Sequence, residues 1–360
     1  MKSLAGAVDK AGHNWVFYTL VKRLYIIKVR QQERIMIGMK DIAAAAGVSV
    51  STVSNALNNK PNVGEAVRIR IVKLCDEMNY RPRSETRNLS SGRNRTILFD
   101  FSDFDRCFYL KLIEGINDYA GDNGYDLLMC TAKSCEKYIR NGLTDGCIIL
   151  DDRMGNETIR HAAQKRYPFV LLDRILPEAP IKSLVINNYT AMTELLEGLL
   201  QRGYRDFAFI GGPEYTNDTR ERFEAYTDVL SKHGIPIRRD TYFPGDYSEA
   251  SGYQAVTILL LAGKPPEVLV CANDNMAIGV IRALMERGCR VPEDVAVTGF
   301  DNGERAEALG LTTVAVPNYE RGYLAARSLI ENINGKNNFE PLRISATVIW
   351  RKTVSDRKTV

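Results

Sequence analysis

From Thr96 onward the chain repeats one pattern: a short, nearly continuous apolar run, then an amphipathic stretch long enough for a helix. The runs are residues 96–101, 126–130, 146–150, 169–172, 207–210, 268–271, 295–299 and 342–350. The helical stretches include 108–123, 191–202, 221–233, 248–262, 276–287 and 319–334. A strand apolar on both faces must be covered on both, so these runs call for parallel sheets between helix layers. The length accommodates two such halves. Open α/β sheets bind ligands outside the carboxyl ends of their strands, so two halves place a site in the cleft between them.

Charge divides the chain differently. Residues 1–38 carry seven Lys/Arg against two Asp/Glu, residues 39–95 ten against five, and the remaining 265 residues 31 against 37. A basic head on an acidic body means that the head is what meets a polyanion. No run of about 18 uncharged apolar residues exists, so no membrane span is expected. The seven cysteines are scattered without a CxxC pair and read as buried free thiols of a cytoplasmic protein. Three histidines, His13, His161 and His233, lie far apart, which disfavours a histidine metal site or triad.

Residues 1–38 are read as an N-terminal extension. Its apolar stretch 15–29 is interrupted by Lys22, Arg23 and Lys28, a poor secretion signal, and Met36 and Met39 are alternative natural starts. From Met39 the run MKDIAAAAGVSVSTVSNAL contains two short helices joined by a turn. Ile42, Ala45 and Ala46 share a face, Ala43 is small enough for a close helix approach, Gly47 takes the turn, and Ser49 caps the second helix. Val53, Ala56 and Leu57 point inward, leaving Val50, Ser51, Thr52, Ser54, Asn55 and Asn58 outside. A third helix over 65–78 carries Val67, Ile71, Leu74, Cys75 and Met78 as its stripe and closes before Pro82. The result is a helix-turn-helix over 39–83 followed by a polar, basic hinge over 84–95.

These residues, with Asn79-Tyr80-Arg81-Pro82 and the Arg87-x-Leu89 segment, resemble bacterial repressors of the lactose/galactose repressor family, and the resemblance extends to about residue 352. It implies that the second helix enters the major groove of DNA. Val50, Ser51 and Asn55 take base-reading positions, and Thr52, Ser54 and Asn58 phosphate-contacting ones. It adds Lys40, Tyr80 and Arg87 to the DNA-contacting set. Leu89 matches the leucine that paired hinge helices wedge into the minor groove. Thr86 departs from the alanine common in the hinge.

The body resembles the two-lobed fold shared by these repressors and periplasmic sugar-binding proteins. The matching stretches are 108–115 (FYLKLIEG), 222–226 (RFEAY), 271–279 (CANDNMAIG), 291–301 (VPEDVAVTGFD) and 311–313 (LTT). By that match Arg222, Asn273 and Asp301 line an effector cleft, with Asp103, Phe108 and Arg174 as further candidates on the first lobe. An arginine fork, an amide and a carboxylate together suit hydroxyl groups. Lobe 1 is expected at about 96–187 and 317–339, lobe 2 at 188–316 and 340–352, and a tail at 353–360. Two departures stand near the cleft: the 131–144 connection is shorter than usual, and Asn187-Asn188 replaces the common Asp-Asn.

The fold class is thus an α headpiece with a helix-turn-helix, followed by a two-lobed periplasmic-binding-protein-like α/β sensor. The implied function is a cytoplasmic, sequence-specific DNA-binding repressor. It is a homodimer on a pseudo-palindromic operator in double-stranded DNA, controlled by a small polar effector such as a sugar. Control by a partner protein is the main alternative, and a solute-binding protein the weaker one. No metal site, cofactor or enzyme activity is expected. Gly211-Gly212-Pro213 lacks the rest of a phosphate loop, Asp151-Asp152 has no third ligand nearby, and no GxSxG is present.

Overall fold

The computed structural model describes residues 37–57, 60–78, 80, 93–101, 108–150, 153–178, 180–237, 239–263, 265–336 and 341–357. The chain divides into two units between Gly92 and Arg93. Among the described residues no helix is long and apolar enough to cross a membrane.

The first unit holds α1 (Met39–Ala46), α2 (Val50–Leu57) and α3 (Glu65–Glu77). The unit starts earlier than Met39. Ile37 packs against its core, and the Gly38 amide donates to Asp41 Oδ2 at 2.7 Å, closing the first turn of α1. Gly47 takes the left-handed turn at φ 62°. Ile42, Ala43, Ala46, Val53, Ala56, Ile71 and Cys75 form the buried centre. Ala45, assigned to that face by spacing, is exposed, and Ala43 takes its place. Four consecutive alanines carry no periodicity, so packing alone decides which two turn inward.

The second unit runs β1 (Thr96–Phe101), α4 (Tyr109–Asp122), β2 (Asp126–Cys130), α5 (Ala132–Arg140), β3 (Gly146–Leu150), α6 (Asn156–Gln164), β4 (Phe169–Leu171) and β5 (Ile181–Ile186) through lobe 1. Lobe 2 follows as α7 (Asn188–Gln201), β6 (Phe207–Ile210), α8 (Asn217–Lys232), β7 (Tyr242–Phe243), α9 (Glu249–Ala262), β8 (Val268–Cys271), α10 (Asp274–Glu286), β9 (Ala296–Thr298), α11 (Glu304–Leu309) and β10 (Thr313–Ala315). The chain returns to lobe 1 as α12 (Asn318–Ile333) and β11 (Leu342–Ile344), then to lobe 2 as β12 (Thr347–Ile349).

The first sheet has the order β11-β5-β4-β3-β1-β2, and the second β7-β6-β8-β9. Every pairing within them is parallel. Both faces of the first sheet are covered: Ile97, Phe99, Ile148 and Val170 enter one apolar cluster, while Leu98, Cys147, Ile149 and Phe169 enter another. β10 and β12 form an antiparallel ribbon beside the second sheet.

Several boundaries differ from the sequence reading. β5 is a six-residue, fully buried strand that the apolar runs missed, because Lys182 and Ser183 interrupt it. The single run expected over 342–350 is two strands, and β11 pairs with β5 in lobe 1 rather than lying in lobe 2. The last crossing therefore falls between Ile344 and Thr347. The hinge expected over 84–95 ends sooner, since Arg93 donates to the Ile333 carbonyl at 2.9 Å and the Asn94 amide to Asp145 at 2.7 Å. The expected tail is packed through residue 357: Thr353 and Val354 are buried, and the Arg357 amide donates to the Arg202 carbonyl. The shortened 131–144 connection still builds the nine-residue α5. The cysteines are not all free: Cys130 and Cys135 are joined, with Cα atoms 5.9 Å apart. Cys75, Cys147, Cys271 and Cys289 are free thiols.

Each lobe holds a close helix crossing on facing glycines. A β-carbon on Gly115 of α4 would overlap the Tyr319 carbonyl of α12, and one on Gly322 the Leu112 carbonyl. In lobe 2, Gly252 of α9 and Gly279 of α10 stand likewise against Met276 and Glu249.

Candidate functional site

Two surfaces carry polar groups in an organised way, one in each unit. In the first unit, α2 is held at its start and at its end. Ser49 Oγ accepts from the Thr52 amide at 3.1 Å and lies 2.7 Å from Ser51 Oγ and 2.8 Å from Thr52 Oγ1. One cap thus starts the helix and orients two of its outward hydroxyls. From α3, Arg68 donates to the carbonyls of Ala56 (3.3 Å) and Lys60 (2.8 Å), and Arg70 to that of Ala46 (2.6 Å). These arginines satisfy the carbonyls at the ends of α1 and α2. In the sequence only their charge marks them.

The outward set lies where that geometry leaves it. Val50 is 39% exposed, Ser51 and Lys40 are exposed, and Thr52, Ser54 and Asn55 are half-buried. Tyr80 is half-buried against the core of the unit, which pushes its phenol pKa up. Asn58, Arg87, Leu89 and Thr86 lie outside the described residues. Ser49→Ala is expected to cost α2 about 1 kcal/mol. Amide exchange in α2 then speeds about fivefold; unchanged protection would mean the cap does not hold the helix.

In the second unit, a cleft of about 440 Å³ opens between the lobes, at the carboxyl ends of β3 and β4 and the start of α8. Its walls include Asp173, Arg174, Asp218, Glu221, Tyr247 and Arg343. A larger hollow of about 600 Å³ lies on lobe 2 by the end of α10. It stands away from the strand ends, and its Arg290 is already paired with Asp294.

Arg222 is 2% exposed on α8 beside this cleft. Its Nε donates to Asn188 Oδ1 at 2.8 Å, its Nη1 to the Ala272 carbonyl at 2.5 Å, and its Nη2 stands 3.6 Å from Asp218 Oδ2. Its guanidinium carbon lies 3.6 Å from the centroid of the Phe300 ring. Asn188, the first residue after the crossing from lobe 1, also donates to Asp218 at 2.9 Å. Asn273 caps α10, accepting from the Met276 amide and donating to the Tyr247 carbonyl, both at 2.9 Å. Asp301 sits at φ 112°, its amide bound to the Val314 carbonyl at 2.8 Å. On lobe 1, Arg174 donates to Asn156 at 3.1 Å and stands 3.3 Å from Asp173. Phe108 is half-buried at the start of α4 against Tyr109. Asp103 lies outside the described residues.

The structure adds groups that the sequence did not single out. Asp173 follows β4 with a fifth of its side chain open. Burial pushes its pKa up to about 7, opposed by Arg174 and Arg321 and reinforced by Asp218. Arg321, on the first turn of α12, is 2% exposed. Asp274, behind Asp301, accepts from Thr313 Oγ1 at 2.6 Å and the Gly303 amide at 2.8 Å, and burial raises its pKa. Arg343 of β11 reaches Glu221 of α8 at 3.2 Å, an ion pair between the lobes.

Comparison with known proteins fits both surfaces. The family described as bacterial regulatory proteins, lacI family, matches residues 38–83, and a periplasmic binding protein-like domain matches 196–354. A Bacillus subtilis (strain 168) protein named probable HTH-type transcriptional repressor ExuR is 32% identical over 308 residues, covering 83% of this chain and 92% of its own. The structure of the Lac repressor dimer bound to operator and the anti-inducer ONPF superposes with a TM-score of 0.73 at 25% identity, covering 88% of this chain and 98% of that one. That of the transcriptional regulator CelR with cellobiose does so at 0.66 and 26%, covering 88% and 100%. A helix-turn-helix unit followed by a two-lobed parallel α/β body, matched along nearly the whole length of a relative, places the chain in the lacI family of bacterial regulatory proteins, DNA-binding transcriptional repressors under effector control.

Proposed function

We propose that this chain is a cytoplasmic repressor that binds a pseudo-palindromic operator as a homodimer and is released or tightened by a sugar-like effector in the interlobe cleft. The reading rests chiefly on α2: a short helix, capped and clamped from behind, whose outward face is small and polar. Val50, Ser51 and Asn55 read bases, and Lys40, Thr52 and Ser54 meet phosphates. Arg174 walls the cleft, and Arg222 and Asn273 stand behind that wall, bonded to Asn188 and to the Tyr247 carbonyl, with Asp301 beyond them. Polar groups from both lobes face one space there, so a ligand that touches both favours one arrangement of the lobes over another. That differential affinity is what couples the cleft to the DNA-binding unit.

The test is operator selection from genomic fragments with the full-length chain, then titration at several salt concentrations. Asn55→Ala is expected to cost about 1–3 kcal/mol of discrimination at the bases it reads. It leaves the salt slope unchanged, whereas Lys40→Ala shallows the slope by about one unit. Equal binding of specific and random duplex by the parent chain would end this reading.

A further inference from the structure

We infer that the effector carries an anionic oxygen group and that Arg321 binds it. The inference rests on the interlobe cleft being the effector site, and it names the chemical class that site takes.

The two buried arginines beside the cleft differ in how they are satisfied. Arg222 has two hydrogen bonds, a carboxylate and an aromatic face. Arg321, equally buried, donates through Nη2 to the carbonyl of Leu172, the residue after β4. Its Nε is buried and has no hydrogen-bond partner among the described residues. Asp218, Asp173 and Asp301 act on it through space, from both lobes. A buried guanidinium whose Nε donates to no group is costly to keep unless a ligand completes it. Its place tells where that ligand must come from. Leu172 leads directly into Asp173 and Arg174, which wall the cleft.

A hydroxyl would fill one donor without adding a hydrogen-bonded countercharge. A carboxylate offers two coplanar oxygens to the guanidinium fork and neutralises it. Arg174 adds a second cation on the same wall. Asp218, Asp173 and Asp301 oppose an anion there, and of these Asp173, its pKa pushed up to about 7 by burial, stands neutral below that pH. The charged groups facing Asp173 are Arg174 beside it, Arg321 from α12 and Asp218 from α8. A polyhydroxylated acid fits this arrangement: Arg321 takes the anion, and Asp218 and Glu221 on the cleft wall face the hydroxyls.

Calorimetry on the full-length chain tests this with sugar acids such as D-glucuronate and D-gluconate, their neutral parent D-glucose, and glucose 6-phosphate. At least one acid is expected to bind tenfold or more tighter than glucose. Arg321→Gln is expected to weaken that acid about ten- to a hundredfold, and Arg321→Lys, which keeps the charge, less so. Glucose 6-phosphate binding with the same Arg321 dependence keeps the anion subsite and assigns it to a phosphate ester. On the unaltered chain, affinity for the acid falls as pH rises through 7, because ionised Asp173 then faces the anion. Equal affinity for acid and parent, indifference to Arg321→Gln, or affinity rising with pH would overturn the anion subsite and leave a neutral-sugar cleft. Heat from none of these ligands overturns the effector reading as well.

Discussion

Arg222→Ala is expected to destabilise the second unit by about 3–5 kcal/mol, the cost of stripping one partner from a buried charged network. Asn188 Oδ1 and the Ala272 carbonyl would each lose a donor, Asp218 its nearby cation and Phe300 its stacking partner. Asn188 is fully buried, so water does not replace what is lost. Lysine at 222 keeps the charge but neither the fork nor the flat face, so Arg222→Lys should recover less than half of the loss. Urea unfolding of the full-length chain, followed by a probe in the second unit, measures both. A loss below about 1 kcal/mol for alanine would show that Arg222 is held by the cleft rather than holding it.

Gly279→Ala should also destabilise, although alanine is the better helix former by about 1 kcal/mol. The new β-carbon would overlap the Glu249 carbonyl, and backbone cannot swing aside as a side chain can. Prising α9 from α10 carries the overpacking penalty of about 1–3 kcal/mol, at its upper end because backbone is the obstacle. Gly121→Ala is the matched control. It lies in α4 with no atom within 4 Å of its β-carbon position, so propensity alone acts and the change stabilises. Opposite shifts in melting temperature for the two variants confirm the crossing; shifts of the same sign would refute it.

The clearest successes of the sequence reading are where a signal is local. β1, β2, β3, β6 and β8 follow continuous apolar runs with their ends as expected. Gly47 and Ser49 mark the turn and the cap of the headpiece through their own backbone needs. The misses share a cause. β5 is covered from both sides although Lys182 and Ser183 interrupt its apolar run. The helix α6 carries a polar outer face, and short β10 is placed by its partner β12. The pairing of β11 with β5 joins residues about 160 apart, beyond any local pattern. Arg222 was legible as a cleft residue through its RFEAY stretch, while Arg321 sits in a helix whose periodicity shows no more than an arginine on one turn.

What the sequence by itself determined is the grammar of this protein: three short helices ahead of parallel sheets, and a charge divide between them. Periodicity, caps and turns act within a few residues and need no partner to be read. Only the tertiary structure decided which polar groups share a space. It gave Arg222 its full set of partners and left Arg321 short of them, brought Asp173 and Asp218 together from different lobes, and set Gly279 against Glu249. Burial, hydrogen bonding and Coulomb energy depend on distance in space. Between residues tens to more than a hundred apart in the chain, that distance exists only once the fold has formed.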